Sequence, residues 1–225
     1  MLTRPKISAV TVCINYDDFL AHTIGNYHKI FDELIVVTES SDLKTIELCK
    51  KTDTRYIESS SKNAKGEAFN LPALLNDGFR QLEGKDWLCK LDPDIYFPDL
   101  SLPLIRAHLV NPDELWGSNR YFCENEADLS AFIKTGDYSG LEPPYETTDD
   151  VLGFLQVFHS SCQYIEDKKR PYEQEYHVGP SRTNDRLFAQ RWPVEKRKWF
   201  PFEVIHLGLE AIGKNWRGRK SDRFT

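Results

Sequence analysis

"WLCKLDPDIYFP", residues 87–98, is an apolar run that ends on two aspartates held apart by one proline. The part before the pair has the length and composition of a buried strand. In an extended chain, residues two apart project to the same side, so Asp92 and Asp94 bring like charges to one place. A divalent cation is the usual partner for such a pair, because hard cations take oxygen ligands. The pattern alone is weak: with 18 aspartates in 225 residues, about one Asp-x-Asp pair is expected by chance. A solvent-exposed turn around Pro93 suits the same letters, and the flanking segments have to decide.

Upstream, strand-like and helix-like segments alternate. "ISAVTVCI" is short, apolar and β-branched, and "DDFLAHTIGNYHKIF" places Phe19, Leu20, Ile24, Tyr27 and Phe31 at helical spacing. "LIVVT" reads as a second strand, Leu43–Lys51 as a second helix and "TRYIES" as a third strand. "EAFNLPALLNDGFRQL" puts Phe69, Leu74, Leu75, Phe79 and Leu82 on one stripe, with Pro72 suited to the first helical turn. "DWLCKL" is then a fourth strand. Such alternation predicts a mainly parallel sheet covered on both faces. In those sheets ligands collect outside the carboxyl ends of the strands, where Asp92 and Asp94 fall.

Downstream the pattern loosens. "DLSLPLIRAHL" predicts a helix and "ELWGSNRYF" a strand, whereas residues 124–150 read as a polar insertion. "VLGFLQVFH" returns to strand character, 165–183 reads as a charged loop, "NDRLFAQRW" as a helix and "FEVIHLG" as a last strand. The expected organisation is one domain in two halves, 1–100 and 101–225.

The composition, 40% hydrophobic and 28% charged, excludes a disordered or fibrous chain. No apolar run approaches the roughly 18 residues that cross a bilayer, so no stable membrane insertion is expected. Five scattered cysteines, Cys13, Cys49, Cys89, Cys123 and Cys162, show neither zinc-finger spacing nor a disulfide framework. They predict reduced, buried thiols and a cytoplasmic setting. The net charge of −6 is uneven, with residues 168–225 carrying 14 basic and 7 acidic side chains. That excess is either a solvated face or a surface that meets an anion.

This order of features resembles the GT-A class of nucleotide-sugar-dependent glycosyltransferases over nearly the whole chain. "VTVCINYDDFL" with "DELIVVTESS" resembles the family-two opening, in which two successive strand ends hold the nucleoside. "FNLPALLNDGFRQLEGKDWLCKLDPDIYFP" is similar to the β-1,4-galactosyltransferase segment in which a Phe-Asn helix precedes the Asp-x-Asp strand. "GFLQVFH" looks like the glycine-containing strand lining the sugar and acceptor pocket, "TNDRLFAQRW" like the acidic helix that supplies a catalytic base, and "EVIHLG" like the late strand whose histidine completes the metal site. The chain departs from these patterns at Thr38 and Glu39, where many relatives carry two aspartates. It departs again at Leu71, where galactosyltransferases carry arginine, and at Asn184, where glutamate is more usual.

The resemblance implies a GT-A-type, Rossmann-like α/β fold with 1–100 as its nucleotide-sugar-binding half and 101–225 as its acceptor-binding and catalytic half. It implies a Mn2+ or Mg2+ ion held by Asp94 and His206, with Asp92 as ligand or ribose partner. It implies donor contacts from Cys13, Asn15, Thr38, Glu39, Asn70, Gly153 and Gln156, and Asp185 as the base of an inverting transfer. From the residues themselves, a carboxylate in reach of an acceptor hydroxyl can take its proton. Asn184 and Asp185 equally suit the cap of an apolar helix, with Asp149 and Asp150 as alternative bases. A lone histidine in an apolar strand equally suits a satisfied core position. In "GKNWRGR", Trp216, Arg217 and Arg219 suit stacking and phosphate, or an ordinary basic surface. The expected donor is a UDP-sugar, and the acceptor a glycan, a small molecule or a hydroxymethylated DNA base. A sugar nucleotidyltransferase would need a glycine-rich, basic phosphate loop after the first strand, where this chain reads "NYDDFL". A nucleotide-sugar-binding protein without catalysis is the non-enzyme alternative.

Overall fold

The computed structural model describes residues 4–67, 69–84, 86–143, 151, 153–167, 169–172, 181–208, 223 and 224. The first half runs β1 (Ile7–Val12), α1 (Asp17–Ile30), β2 (Glu33–Thr38), α2 (Leu43–Lys51), β3 (Tyr56–Glu58), α3 (Leu71–Gln81) and β4 (Trp87–Leu91). The second runs β5 (Ile95–Tyr96), α4 (Ser101–His108), β6 (Leu115–Cys123), α5 (Glu126–Thr135), β7 (Leu155–His159), α6 (Ser181–Ala189) and β8 (Arg197–Leu207). Among the described residues, eight strands join one sheet in the order β3-β2-β1-β4-β7-β6-β8-β5.

The expectation of a mainly parallel sheet holds only for β1 to β4, which pair in parallel. β7 runs antiparallel to both β4 and β6, and β5 antiparallel to β8, while β6 and β8 are parallel. Strand direction leaves no mark on hydrophobic period, so the sequence could not show this reversal. The chain order reverses beside β1, between β2 and β4, and a crevice at such a switch point is where this kind of sheet binds ligands.

Period-2 alternation divides the core between two faces. Ile7 and Ala9 of β1, and Trp87, Cys89 and Leu91 of β4, pack with Phe19, Leu20, Ile24 and Tyr27 of α1 and Ile105 of α4. Val10, Val12 and Leu88 face the other way, onto Leu74, Leu75 and Phe79 of α3 and Phe188 and Trp192 at α6. α3 lies close on the sheet: a β-carbon at Gly78 would overlap the side chains of Val10 and Val37.

Two local readings are corrected. The stretch 124–150 is not only a polar insertion, because 126–135 is helical. Asn125 caps it by accepting from Asp128 N–H, Gly136 ends it at φ 69°, and Leu129 and Phe132 bury its inner side. The last helix begins at Ser181, ahead of Asn184 and Asp185, so these two lie inside it and are not its cap. The five cysteines are buried and free, as expected. Burial pushes Cys49 up to about 12 and Cys123 up to about 11, which leaves them protonated and inert. No helix among the described residues is long and apolar enough to cross a membrane.

Candidate active site

The turn after β4 is tied down by the polar residues of α1's inner face. The Tyr27 hydroxyl donates to the Asp92 carbonyl at 2.8 Å and accepts from Ile95 N–H at 3.1 Å. Thr23 donates to the Pro93 carbonyl at 2.7 Å, and Asn26 exchanges two hydrogen bonds with Phe97. From the far side, Asp92 N–H donates to Phe154 O at 3.0 Å and Leu207 N–H to Asp94 O at 2.8 Å. The Asp-Pro-Asp turn is therefore an internally braced element between α1, β7 and β8, not a solvent-exposed bend.

Lys90 is a site residue that sequence reasoning missed. Its side chain is 1% exposed, and its ammonium lies 2.7 Å from Asp92 Oδ1 and 3.6 Å from Asp185 Oδ1. Lys90 of β4 and Asp92 just past its end, two residues apart in extended chain, project to one side, and Lys90 is paired across the ladder with Gln156 of β7. Burial alone would lower the pKa of this ammonium, but Asp185 and Asp92 outweigh it, and the net shift is upward. Lys90 stays charged. A lysine inside an otherwise apolar strand, two places before a carboxylate, was the signal in the sequence.

Asp185 is placed by its neighbours. The Gln156 amide donates to the Asp185 and Val151 carbonyls, at 3.1 Å each, and its oxygen accepts from the Tyr172 hydroxyl at 2.7 Å. Asn76 of α3 in turn bonds the Tyr172 backbone at both its N–H and its carbonyl. The Asp185 carboxylate lies flat against Gly153, where any β-carbon would overlap it. Gly153→Ala is therefore expected to push a flexible side chain aside. The melting temperature should change little. With Asp185 as the base that the resemblance implies, turnover is expected to fall about a hundredfold, the usual penalty for such a group displaced by about 1 Å. Thermal melts beside kcat measurements check both halves.

Asp94 and His206 are brought together by β5–β8 pairing, which sets Ile95 opposite His206. Asp94 Oδ2 is 3.7 Å from His206 Nε2, and Asp94 Oδ1 is buried without a hydrogen-bond partner among the described residues. Carboxylate oxygen suits Mg2+ and Mn2+, and imidazole nitrogen suits first-row metals generally, so a divalent cation fits this pair. Asp92, already held by Lys90, is not gathered with them: the described residues contain no cluster of three or more His, Cys, Asp or Glu spaced for a metal.

Burial, then the Asp92 charge, pushes the Asp94 carboxyl from its ordinary 3.8 up to about 8, against a backbone hydrogen bond, Arg120 and Lys90. The metal-free folded chain then keeps a proton on Asp94 that the unfolded chain loses. Its stability should fall as pH rises from about 4 to about 8. Asp94→Asn should flatten that slope in melts recorded with chelator across the range.

The remaining predicted donor residues lie at the ends of β1 and β2 and before α3. Cys13 and Thr38 are fully buried; Cys13 Sγ meets the Thr45 hydroxyl at 3.5 Å, and Thr38 bonds Asp42 at 3.4 Å. Asn15, in left-handed conformation at φ 60°, gives its N–H to Asp42 at 2.8 Å. Asp42, unnoticed in the sequence, is thus the hub of the crevice wall. Glu39 pairs with Lys62 at 3.0 Å. Asn70 caps α3 and is 1% exposed. Trp216, Arg217 and Arg219, with the alternative bases Asp149 and Asp150, lie outside the described residues. Beyond them, Arg223 pairs with Asp17 at 3.1 Å, and Phe224 N–H donates to Asp18 at 2.8 Å while its ring packs on Phe19 and His22.

No protein-family model matches this chain, and no curated protein matches it by sequence. Solved structures do. Mannosyl-3-phosphoglycerate synthase from Rubrobacter xylanophilus is similar over 91% of this chain and 68% of its own, with TM-score 0.54 and 13% identity. 4-diphosphocytidyl-2C-methyl-D-erythritol synthase from Anaerococcus prevotii is similar over 89% and 87%, with TM-score 0.52 and 15% identity. Glucosyl-3-phosphoglycerate synthase from Mycobacterium tuberculosis, in complex with Mn2+, uridine diphosphate and phosphoglyceric acid, is similar over 90% and 70%, with TM-score 0.50 and 15% identity. The fold is of the GT-A type, a Rossmann-like α/β fold.

Proposed function

We propose that this chain is a metal-dependent glycosyltransferase that moves a sugar from a nucleotide-sugar donor, a UDP-sugar first, to an acceptor hydroxyl with inversion. The observation that carries the reading is the Lys90 bridge, which joins Asp92 at the strand end to Asp185 on the far wall. Strand-end carboxylates serve the donor side, and a carboxylate across the cleft serves the acceptor.

In the proposed reaction, Asp185 takes the acceptor's hydroxyl proton as the oxygen attacks the anomeric carbon. The bond from that carbon to the nucleoside diphosphate breaks, and the diphosphate leaves with the electron pair. A divalent cation held by Asp94 and His206 would neutralise charge developing on the leaving diphosphate. Gly153 leaves the Asp185 carboxylate room, and Gln156 fixes the helix turn that bears it. The acceptor is proposed as a glycan, a small molecule or a hydroxymethylated DNA base.

Of the three structures described above, one is named as a diphosphocytidyl-type synthase and two as glycosyl-type synthases, so the fold supports a nucleotidyltransferase reading as well. The start of α1 speaks against that reading. A triphosphate would need a basic or glycine-rich pocket there, yet Asp17 and Asp18 occupy it and are engaged with Arg223 and Phe224 N–H. Calorimetric titration of UDP, GDP, CDP and the nucleoside triphosphates, each with and without Mn2+, separates the readings. One diphosphate is expected to gain at least about tenfold in affinity from Mn2+. Triphosphate binding, followed by pyrophosphate release when a sugar phosphate is added, would assign the alternative. Diphosphate binding with no turnover on any acceptor would assign the non-enzyme reading.

A further inference from the structure

The Lys90 ammonium sits where a cation is needed and where a metal would be opposed. It is 1% exposed, 2.7 Å from Asp92 Oδ1 and 3.6 Å from Asp185 Oδ1, on the strand that runs directly into Asp94. The Asp92 and Asp185 carboxylates repel one another across the crevice, and the fixed ammonium between them offsets part of that charge. It also occupies an Asp92 oxygen that could otherwise turn to a metal. Asp94 and His206 then offer a dication one carboxylate and one imidazole, too few ligands for tight binding by themselves.

We propose that Lys90 is a built-in counter-cation that positions Asp92 and Asp185 and keeps metal affinity low until a donor's diphosphate supplies the missing oxygens and negative charge. The proposal rests on the glycosyltransferase reading for the identity of the donor, and on the geometry alone for the metal. Metal and nucleotide should therefore bind with strong positive coupling, and Lys90 should set its size. A positive charge a few ångströms from a dication weakens its binding by about tenfold or more even at water-like screening.

The test is calorimetric titration of Mn2+ alone, and of Mn2+ with saturating UDP, into the full chain and its variants. Lys90→Met keeps the length of the side chain and removes its charge. It is expected to bind Mn2+ alone at least about tenfold more tightly than the wild type, with a smaller gain from UDP. Lys90→Arg, which keeps the charge, should stay close to the wild type. A role confined to holding the fold predicts the opposite sign: a loosened site and weaker Mn2+ binding in Lys90→Met.

Lys90→Met leaves two carboxylates without their partner and could misfold. The double variant Lys90→Met/Asp185→Asn removes one of those charges, and it should bind Mn2+ more tightly than Asp185→Asn alone. Unchanged or weaker Mn2+ binding on loss of the Lys90 charge, in either background, overturns the proposal. Absence of UDP binding in a wild type whose Mn2+ affinity does respond to Lys90 would overturn the donor assignment and leave the counter-cation standing.

Discussion

Asp185→Asn is expected to lower kcat by two to four orders of magnitude, the usual worth of a positioned general base, while the donor dissociation constant moves by no more than about threefold. The substitution is nearly isosteric. It keeps the contact with Gly153 and leaves the Gln156 bond to the Asp185 carbonyl untouched, because that bond uses the backbone. What it removes is the carboxylate that is proposed to accept the proton and that faces Lys90. Turnover and donor titration on the same preparation check the split. Wild-type turnover in Asp185→Asn, with loss in Asp149→Asn or Asp150→Asn, would move the base to those residues.

Asp94→Ala is expected to abolish transfer to within background, a loss of about three orders of magnitude or more, because a metal supplies several kcal/mol at a departing diphosphate. Mn2+-dependent nucleotide binding should weaken with it. The fold should survive, since the bond from Leu207 N–H uses the Asp94 backbone carbonyl. The buried Oδ1 that the substitution deletes has no hydrogen-bond partner among the described residues. Removing a buried, unsatisfied carboxylate relieves a desolvation penalty. The metal-free variant should therefore melt no lower than the wild type at pH 8. Full activity of the wild type in chelator would contradict the role given to Asp94.

Much of the framework was readable because it rests on local period. The strands "ISAVTVCI", "LIVVT" and "DWLCKL" and the helix Leu43–Lys51 follow from apolar spacing, and the placement of the Asp pair at a strand end follows from them. The antiparallel entry of β7 did not, because direction is chosen by long-range pairing with β4 and β6. α5 was hidden by its polar surface, although Asn125 and Gly136 bracket it and Leu129 and Phe132 are spaced as one helical face. Around the site, Asp92, Asp94, Asp185 and His206 were all singled out. The structure brings Asp94 to His206, and Asp92 to Asp185 through Lys90, as two linked pairs. Thr23, Asn26 and Tyr27 were read as part of an ordinary amphipathic helix. Their polar atoms are needed only because the Asp-Pro-Asp turn ends its ladder bonds at that point, a contact nearly seventy residues away along the chain. Tyr172 lay in a stretch that reads as a charged loop, and only the fold shows that it supports Gln156.

The most direct test of the central claim is ³¹P NMR of the purified chain with Mg2+, a UDP-sugar and an acceptor mixture, run beside an identical sample containing chelator. The account predicts that the diphosphate resonances of the donor give way to those of free UDP in the first sample, and persist unchanged in the second. Equal conversion in both samples would contradict it, and so would an intact panel of UDP-, GDP- and CDP-sugars in a sample that forms pyrophosphate from a nucleoside triphosphate and a sugar phosphate.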